Sequence, residues 1–348
     1  VEQDAGLDTL EAEHANLHSA LGWLGAHRHV ELALRLGGAL AVPWFLRGHA
    51  AEGLQLLTPL LALPEAAAHT AARARALGAA AWWTFGLAGQ SSFWAARDLY
   101  QEALAIWREL DDRVEIAGTL NHLGYVAAEE EDYARVRALF AESLPVLREA
   151  GDGWQVAWSL FTLGNIALVE GNDAEAEALH EECLAIRRAR GDRVGVANSL
   201  LSFGALYRSR GEISRARGVY EEALAIQKEV DDENNVWYIL DALGSVALEQ
   251  GDHAAAMSAF SDMLSPLLAM GYTHRVSQTL ESLACLAAAC GQPRRAVLLA
   301  SAAAALGETH GRERQMPWRL DAQRWLEPAR RALGEVAGAS AWDDGRSM

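Results

Sequence analysis

The side chains that could support acid–base catalysis in this sequence occur as acidic pairs. Glu181-Glu182, Glu221-Glu222 and Asp231-Asp232 could each set two carboxylates side by side for general acid and base work. The pairs recur with the repeat that runs through the chain, so we interpret them as solvated helix faces and helix caps. The sole lysine, Lys228, lies in EEALAIQKEV, which excludes a GxxxxGK phosphate loop, and HExxH and GxSxG motifs are absent. We expect no enzymatic activity and no cofactor.

Metal-binding and disulfide patterns are equally sparse. His14 and His18 stand four residues apart on a helical pattern, where both could grip a metal ion. Without a third ligand nearby in the sequence, this pair is interpreted as solvent-facing or capping histidines, and no metal site is predicted. Cys183, Cys285 and Cys290 fit neither a metal spacing nor a disulfide framework. Each falls at a packing position of a predicted helix, so we expect buried free thiols.

Charge and hydropathy restrict the classes of partner and the cellular compartment that we expect for this chain. The 348 residues carry a formal net charge of −17, so we expect no nucleic-acid binding by this chain itself. No stretch approaches the roughly 18 uninterrupted apolar residues of a membrane span, and no signal peptide is present. These features predict a cytoplasmic location and no membrane contact. The chain opens Val-Glu-Gln-Asp without an initiator methionine, and we interpret it as part of a longer protein.

The elements that position the remaining polar and aromatic residues follow a fixed forty-residue step. Four glycines follow one another at this spacing. The residue twelve positions after each glycine, which is small in most copies, and the ring four positions after that residue recur at the same spacing. They are Gly124, Gly164, Gly204 and Gly244; Val136, Ala176, Ala216 and Ala256; and Phe140, His180, Tyr220 and Phe260. A period between 20 and 50 residues is typical of a solenoid. Each unit contains two apolar runs with helical spacing, which predicts an array of helical hairpins.

Helix-breaking residues between the apolar runs, and small residues within them, indicate how each hairpin is formed. Pairs of a glycine and a polar residue, such as Gly171-Asn172, Gly211-Glu212 and Gly251-Asp252, can end one helix in the left-handed conformation and cap the next. Mid-helix small residues such as Gly124 and Ala176 are expected where two helices cross, because a larger side chain would separate them.

Four segments are predicted along the chain. Residues 1–29 form an N-terminal linking helix, in which residues 7–25 are amphipathic, and residues 30–112 form degenerate hairpins. Residues 113–310 are regular repeats, and the last copy has an alanine-rich second helix that should pack thinly. Residues 311–348 form capping helices, the first opened by Pro317 and ended by Gly334.

The spacing of Leu163-Gly164, Ala176, His180 and Cys183 resembles the tetratricopeptide repeat. The resemblance implies an all-α fold, a right-handed α-solenoid of about seven helical hairpins with a forty-residue period and a C-terminal helical cap. The period is longer than the usual 34 residues, which lengthens each hairpin. His180 stands where the family has an aromatic residue, and Val136 where it has alanine.

A second resemblance covers both ends of the chain. LEAEHANLHSAL, ELALRLGGALAVPWFLRGHAAEGLQLL and the closing AWDDGRSM look like the segments around the repeats of bacterial signal-transducing ATPase regulators, including LuxR-type and antibiotic-pathway regulators. It implies a sensor domain that binds a protein, peptide or small-molecule inducer and controls the ATPase module of the parent chain. The alternative is a standalone scaffold, adaptor or peptide-binding protein.

In the tetratricopeptide family the first helix of each hairpin lines a concave groove. Carrying that register over predicts a binding groove lined by Trp83, Asn121, Tyr125, Trp158, Phe161, Asn165, Asn198, Leu201, Arg208, Tyr238, Asp241, Gln278 and Glu281. Aromatic rings would supply buried area and the polar groups would orient a ligand. The competing interpretation is that the long helices hide these aromatics in the core between repeats. Trp154 and Trp237, at helix starts, are expected to be packing residues.

Overall fold

The computed structural model describes residues 2–86, 90–230, 233–308, 319 and 321–347, with side chains from residue 6 onward except at 90–91 and 233–235. These ranges contain α-helices, a 3₁₀ turn at Pro64–Ala66 and no β-strand. The helices are α1 (Glu2–Ala12), α2 (His14–Ala26), α3 (Val30–Ala39), α4 (Ala41–Leu46), α5 (Ala50–Leu61), α6 (Ala71–Gly86), α7 (Gln90–Glu109), α8 (Arg113–Glu129), α9 (Tyr133–Glu149), α10 (Gly153–Val169), α11 (Asp173–Ala189), α12 (Arg193–Ser209), α13 (Ile213–Glu229), α14 (Glu233–Glu249), α15 (His253–Ala269), α16 (Thr273–Ala289), α17 (Pro293–Glu308), α18 (Ala322–Leu333) and α19 (Glu335–Arg346). Contacts group them into two compact units, residues 1–159 (unit 1) and 160–348 (unit 2), with the boundary inside α10.

The forty-residue step appears directly in the helix boundaries. Each helix from α8 to α16 is 17 residues long, and each begins twenty residues after the one before it. At 1.5 Å per residue, each helix is about 25 Å long. The predicted all-α helical-repeat fold is confirmed, with one hairpin for each period.

The turns between these helices use the predicted left-handed residues. Positive φ angles between 69° and 76° occur at Gly151, Gly171, Gly191, Gly211, Gly251, Gly271 and Gly291. The residue that follows is often an aspartate whose side chain accepts a hydrogen bond from a backbone N–H three positions on, as at Asp152, Asp192 and Asp252. Glycine relieves the steric cost of the turn, and aspartate satisfies an orphan donor of the next helix.

One turn adopts the same conformation without glycine, which gives a stability prediction. Glu131 has a φ of 57°, a conformation that costs an L-residue about 1–2 kcal/mol. Glu131→Gly should stabilise the chain by about 0.5–1 kcal/mol, since glycine's greater unfolded-state entropy offsets part of the relief. The urea midpoint of unfolding measures it. The same substitution at the exposed, mid-helical Glu142 should destabilise by about 1 kcal/mol, and equal shifts would contradict the assignment.

The mid-helix glycines mark the crossing points of the hairpins. A Cβ built on Gly124 would lie 2.2 Å from the Phe140 ring, and one on Gly244 would lie 2.3 Å from the Phe260 ring. Gly204 has the same relation to Tyr220, at 2.0 Å. The close approach is to the ring of the second helix, which fills the space that the missing side chain leaves. The glycine and the ring sixteen residues later therefore act as a pair.

Unit 1 departs from the predicted element boundaries at its beginning. The amphipathic helix expected over residues 7–25 is two helices, α1 and α2, separated at Glu13. In the degenerate hairpins, Arg47-Gly48-His49 separates α4 from α5, and Leu40 separates α3 from α4. The core of this region contains Leu21, Leu34 and Leu57.

Unit 2 ends in two helices that cover the last repeat. The thin packing expected for the alanine-rich α17 is wrong, because α19 lies against it. Ser301 Oγ donates a 2.5 Å hydrogen bond to the Trp342 carbonyl, and a Cβ on Gly345 would lie 2.2 Å from the Leu298 carbonyl oxygen. Small residues on both helices permit this approach. Gly334 ends α18 with a φ of 75°, whereas Pro317 lies outside the described residues.

Two further expectations concern the thiols and the membrane. Cys183 and Cys285 are buried as expected, but the prediction for Cys290 is wrong, because it caps the exposed end of α16. None of the described helices combines the length and the apolar character that crossing a bilayer requires.

Candidate functional site

Three polar residues of the predicted groove belong to a buried hydrogen-bond ladder between first helices of successive hairpins. Ser159 Oγ donates to Asn121 Oδ1 within unit 1. In unit 2, Ser202 Oγ donates to Asn165 Oδ1 over 2.9 Å, and Ser282 Oγ donates to Asp241 Oδ1 over 2.7 Å. The three acceptor residues are at most 6% exposed, so these bonds hold the repeats together. The side-chain oxygens that accept these bonds are therefore engaged within the fold.

Asp241 illustrates the cost of this arrangement. Burial raises the pKa of its carboxyl group, opposed by the charge of Arg319, the hydrogen bond from Ser282 and the charge of Arg208. A buried carboxylate is stable only when it is paired and hydrogen-bonded, and here three groups serve that purpose. Asp241 is thus a structural residue of the inter-repeat contact.

Two other predicted groove residues are packed inside their units. Trp83 is fully buried, and its indole Nε1–H donates a 2.8 Å hydrogen bond to the Ala41 carbonyl. Leu201 is 3% exposed and belongs to the core of unit 2. The burial of Trp83 and Leu201 contradicts their placement in an open groove, because the long helices bury these positions between repeats. Asn198 is half-buried on α12.

The first helices of unit 1 present a row of rings that includes the predicted Trp158, and in which Trp82 and His122 lie one position away from the predicted Trp83 and Asn121. The row contains Phe45, Trp82, His122, Trp154 and Trp158, which we call the aromatic surface. The Trp82 ring lies 4.9 Å from Phe45, 5.3 Å from His122 and 6.4 Å from Trp154 between ring centroids. Trp154 lies 6.1 Å from Trp158. Four helices, α4, α6, α8 and α10, thus contribute to one continuous set of rings.

Members of the aromatic surface are partly accessible. Trp154 is 39% exposed, which overturns its interpretation as a packing residue, whereas Trp237 is buried as expected. Phe45, Trp82, His122 and Trp158 are half-buried. Rings held by neighbours and open on one face can bury area against a ligand at a low entropic cost.

The electrostatic state of the aromatic surface is set by His122. Burial lowers the pKa of His122 to about 4, although a backbone hydrogen bond at Gly118 and the charge of Asp152 oppose the shift. Its ring stacks on Tyr100, with centroids 5.2 Å apart and planes within 7°. At neutral pH His122 therefore presents a neutral ring. Tyr125 lies beside it at 6.0 Å, with its hydroxyl 2.6 Å from Asn121 Nδ2.

In unit 2 the predicted groove residues form ion pairs. Arg208 bonds Glu249 at 2.9 Å, and both side chains are less than one-fifth exposed. They line a pocket of about 210 Å³ together with Arg319, Asp321 and Trp325 from the C-terminal region. The pocket is charged, and its wall includes residues that lie more than one hundred positions apart in the sequence.

A second pocket of unit 2, of about 550 Å³, contains Gln278 and Glu281 from α16. Glu281 accepts a 2.8 Å hydrogen bond from Arg319. The Arg275 guanidinium lies 3.7 Å from the centroid of the Tyr238 ring. The predicted residues Tyr238, Gln278 and Glu281 are thus close to the surface, but each already has a partner within unit 2.

Phe161, the remaining predicted groove residue, is half-buried and packs against Arg187 and His180 in unit 2. The Arg187 guanidinium lies 4.7 Å from the Phe161 ring centroid, and His180 meets that ring edge-on at 5.9 Å. Arg187 is 1% exposed and donates to the Gly195 carbonyl and the Ser199 hydroxyl. The cluster anchors α11 against α12.

Sequence reasoning missed Trp82, His122 and Arg319. Trp82 and His122 are forty residues apart, so the repeat step itself relates them. The family register favoured their neighbours Trp83 and Asn121. Nothing in the sequence pattern placed Arg319 beside α12 and α16, because that contact depends on how the C-terminal residues fold back.

Comparison with known proteins supports the helical-repeat fold. The tetratricopeptide-repeat family model matches residues 155–229. This segment carries the tetratricopeptide repeat. No curated protein sequence matches the chain.

Solved structures with the same helical-repeat fold extend the comparison. A Rap protein complexed with Competence and Sporulation Factor is 12% identical with a TM-score of 0.64, over 97% of this chain and 96% of that one. The apo form of RapI is 13% identical with a TM-score of 0.57, over 94% and 97%. A signal transduction ATPase with numerous domains and a tetratricopeptide-repeat sensor, from Pyrococcus horikoshii, is 13% identical with a TM-score of 0.54. That match covers 81% of this chain and 44% of the ATPase. At these identities the likeness shows the fold alone, a tetratricopeptide-like helical repeat.

Proposed function

We propose that this chain is the sensor domain of a larger ATP-dependent transcriptional regulator, and that it binds a protein, peptide or small-molecule inducer. The observation that carries the proposal is the aromatic surface of unit 1, which gathers rings from four helices and leaves Trp154 39% exposed. Such a surface supplies the large, rigid contact area typical of binding hot spots. The domain acts by binding, without catalysis, in the cytoplasm.

Charge favours a partner with basic groups. Unit 1 contains 21 acidic and 11 basic residues, a net charge of −10. Arginine and lysine side chains are attracted to tryptophan faces and to a negative potential. A protein or peptide segment with basic residues therefore fits the aromatic surface better than a nucleic acid does.

The fold comparisons support a regulatory role. One similar structure is a Rap protein bound to a factor, and another is an ATPase whose sensor is a tetratricopeptide repeat. In a stack of helical hairpins, each hairpin contacts the hairpins next to it. Small shifts at several of these contacts can therefore combine to change the pitch of the stack. A ligand that favours one pitch shifts the equilibrium by its differential affinity for the two states. We propose that this shift controls the ATPase module of the parent chain.

The alternative is a standalone scaffold or peptide-binding adaptor. The gene sequence that precedes Val1 discriminates between the two proposals. Coding sequence for an ATPase and a DNA-binding module supports the regulator. A start codon immediately before Val1 supports the adaptor.

The binding role is tested by Trp154→Ala in the full-length protein. Removing an anchor tryptophan commonly costs 2 kcal/mol or more of binding, so the inducer concentration needed for half-maximal reporter transcription should rise by at least about tenfold. The helical content and the melting temperature should change little, since Trp154 is partly exposed.

The matched control is Trp94→Ala, which removes another exposed tryptophan of unit 1, on α7 and outside the aromatic surface. It should leave the response unchanged. An unchanged response in Trp154→Ala, or an equal loss in both variants, would place the binding site elsewhere. Arg208→Ala is a poor test, because the Arg208–Glu249 pair contributes to the packing of unit 2.

A further inference from the structure

We propose that His14, His49 and Glu52 form a binding site for a divalent transition-metal ion, with Zn²⁺ as the best match. All three lie in unit 1, where α2 begins at His14, His49 directly precedes α5, and Glu52 lies in the first turn of α5. One ligand atom from each residue lies within 4.8 Å of the others. The site is independent of the aromatic surface and of the proposed sensor function.

In the structure His14 pairs with His49, and not with His18, which the sequence spacing had placed beside it. The His14 and His49 rings stack with centroids 3.6 Å apart, whereas the His18 ring lies 6.2 Å from His14. His14 Nε2 is 3.1 Å from a Glu52 carboxylate oxygen. The third ligand missing from the sequence pattern comes from a helix about forty residues away.

Hydrogen bonding at His49 prepares the ring for a cation. Its Nε2 lies 3.0 and 3.2 Å from the two carboxylate oxygens of Glu11, so this nitrogen carries the proton and donates it. In that tautomer Nδ1 presents a lone pair, and Glu52 Oε1 faces it at 3.9 Å. Two acceptors then face each other, and a bound cation would satisfy both.

The surrounding contacts match those of known metal sites. A metal-bound histidine typically donates its other N–H to a carboxylate, which fixes the tautomer and increases the basicity of the ligating nitrogen. Glu11 stands in that position relative to His49. The His14 and His49 side chains are 20% and 18% exposed, so the ligands are held in place yet open to entry from solvent.

The ligand set identifies the class of metal. Two imidazole nitrogens and one carboxylate oxygen match the His₂Glu sets that bind Zn²⁺, with a fourth position for water. Tetrahedral bonds of 2.0–2.1 Å require ligand atoms about 3.3 Å apart. His14 Nε2 and the Glu52 carboxylate, 3.1 Å apart, are already this close, whereas His49 Nδ1 is 3.9 Å from Glu52 Oε1 and must move nearer. Each imidazole lone pair lies in its ring plane, so the two stacked rings must open from one another as they turn toward the ion.

Metal binding has a structural consequence. Glu11 belongs to α1 and His14 to α2, whereas His49 and Glu52 lie at the start of α5. An ion pair between Arg47, just before α5, and Asp8 of α1 connects the same two regions. A bound ion would fasten the two N-terminal helices to the first hairpin. Because it binds the folded state, it should raise the melting temperature of the chain.

The test is Zn²⁺ titration of the tag-free, chelator-treated chain by calorimetry, with Co²⁺ absorption as a probe of coordination. The parent should bind one equivalent. His49→Ala and Glu52→Gln should each weaken Zn²⁺ binding by at least about 100-fold and abolish the tetrahedral Co²⁺ spectrum. Glu11→Gln should weaken it by about 10–100-fold, the range expected for a residue that orients a ligand.

His18→Ala is the matched control, because it removes a histidine one turn along α2 and outside the cluster. It should bind Zn²⁺ like the parent and keep the Zn²⁺-induced rise in melting temperature. Glu52→Gln retains the size of the side chain, so the result does not depend on a variant that fails to fold. Absence of stoichiometric binding, or equal affinity in the parent and His49→Ala, would overturn the proposal. A loss in His18→Ala as large as in His49→Ala would also overturn it.

Discussion

Gly204→Ala is expected to destabilise the chain by about 1–3 kcal/mol, although alanine is the better helix former. A Cβ on Gly204 would lie 2.0 Å from Cε1 of Tyr220 and 2.3 Å from Cζ. The Tyr220 ring is fully buried, so it cannot avoid the contact by turning out into solvent. The ring or the helix must shift, and the packing of α12 against α13 is lost in part. A leucine at Gly204 or Ala216 should cost more.

The matched control lies in the same repeat. Gly218 is exposed in the middle of α13, and a Cβ there would meet nothing within 4 Å. Gly218→Ala should therefore stabilise the chain by about 0.5–1 kcal/mol, through helix propensity alone. Urea unfolding followed by circular dichroism measures both variants. Shifts of the same sign, or equal melting of Gly204→Leu and the exposed Glu221→Leu, would show that the assigned crossing point is wrong.

The second large expectation is a loss of stability in mild acid that originates at His180. His180 occupies the position of Phe140, Tyr220 and Phe260 in the other repeats, and it is fully buried. Burial and the charge of the neighbouring Arg187 together lower the pKa of His180 to about 3, and the backbone at Gly164 opposes this shift. Neither ring nitrogen has a hydrogen-bond partner. The folded chain therefore holds the neutral ring across the physiological range.

The direction of the pH dependence follows from the two pKa values. In the unfolded chain a histidine has a pKa of about 6.5, so between that value and about 3 the unfolded state binds a proton that the folded state does not. The stability is complete above pH 6.5 and falls with pH by up to about 1.4 kcal/mol per unit. From pH 7 to pH 5 the loss should be about 2 kcal/mol. His122 adds a smaller loss, because its ring is half-buried.

His180→Phe should remove this contribution. The free energy of unfolding of the variant, measured by urea at pH 7 and pH 5, should fall by about 2 kcal/mol less than that of the parent. The variant should also be more stable at pH 7, because two buried nitrogens without partners are replaced by apolar atoms. His27→Gln, at an exposed histidine, should keep the parental pH dependence. Parallel curves for His180→Phe and the parent would contradict the buried neutral histidine.

The sequence alone predicted the fold class and the hairpins, because both depend on local interactions that repeat. Gly171, Gly211 and Gly251 identify turns by their backbone freedom, and the forty-residue step fixes where each helix begins. The same periodicity located the pairs of Gly204 with Tyr220 and Gly244 with Phe260. Where the repeat is weak, as at Leu40 and Glu13, the predicted helices differed from those observed.

The location of the proposed binding surfaces could be seen only in the tertiary structure. A rotation of one residue, about 100° on a helix, separates the buried Trp83 and Asn121 from the half-buried Trp82 and His122, and no local pattern distinguishes them. The burial of each position depends on the side chains that the neighbouring repeats bring against it.

The sequence by itself determined the element order, the period and the absence of motifs for a phosphate loop. Each of these depends only on residues that are contiguous in the chain. Only the tertiary structure decided which side chains meet over long separations. It set His14 against His49 and Glu52, and it brought Arg319 to Glu281. Such contacts form between residues about forty positions apart, where each helix packs on others through the full set of its neighbours. Local propensity specifies the helices, and the packing between them specifies the sites.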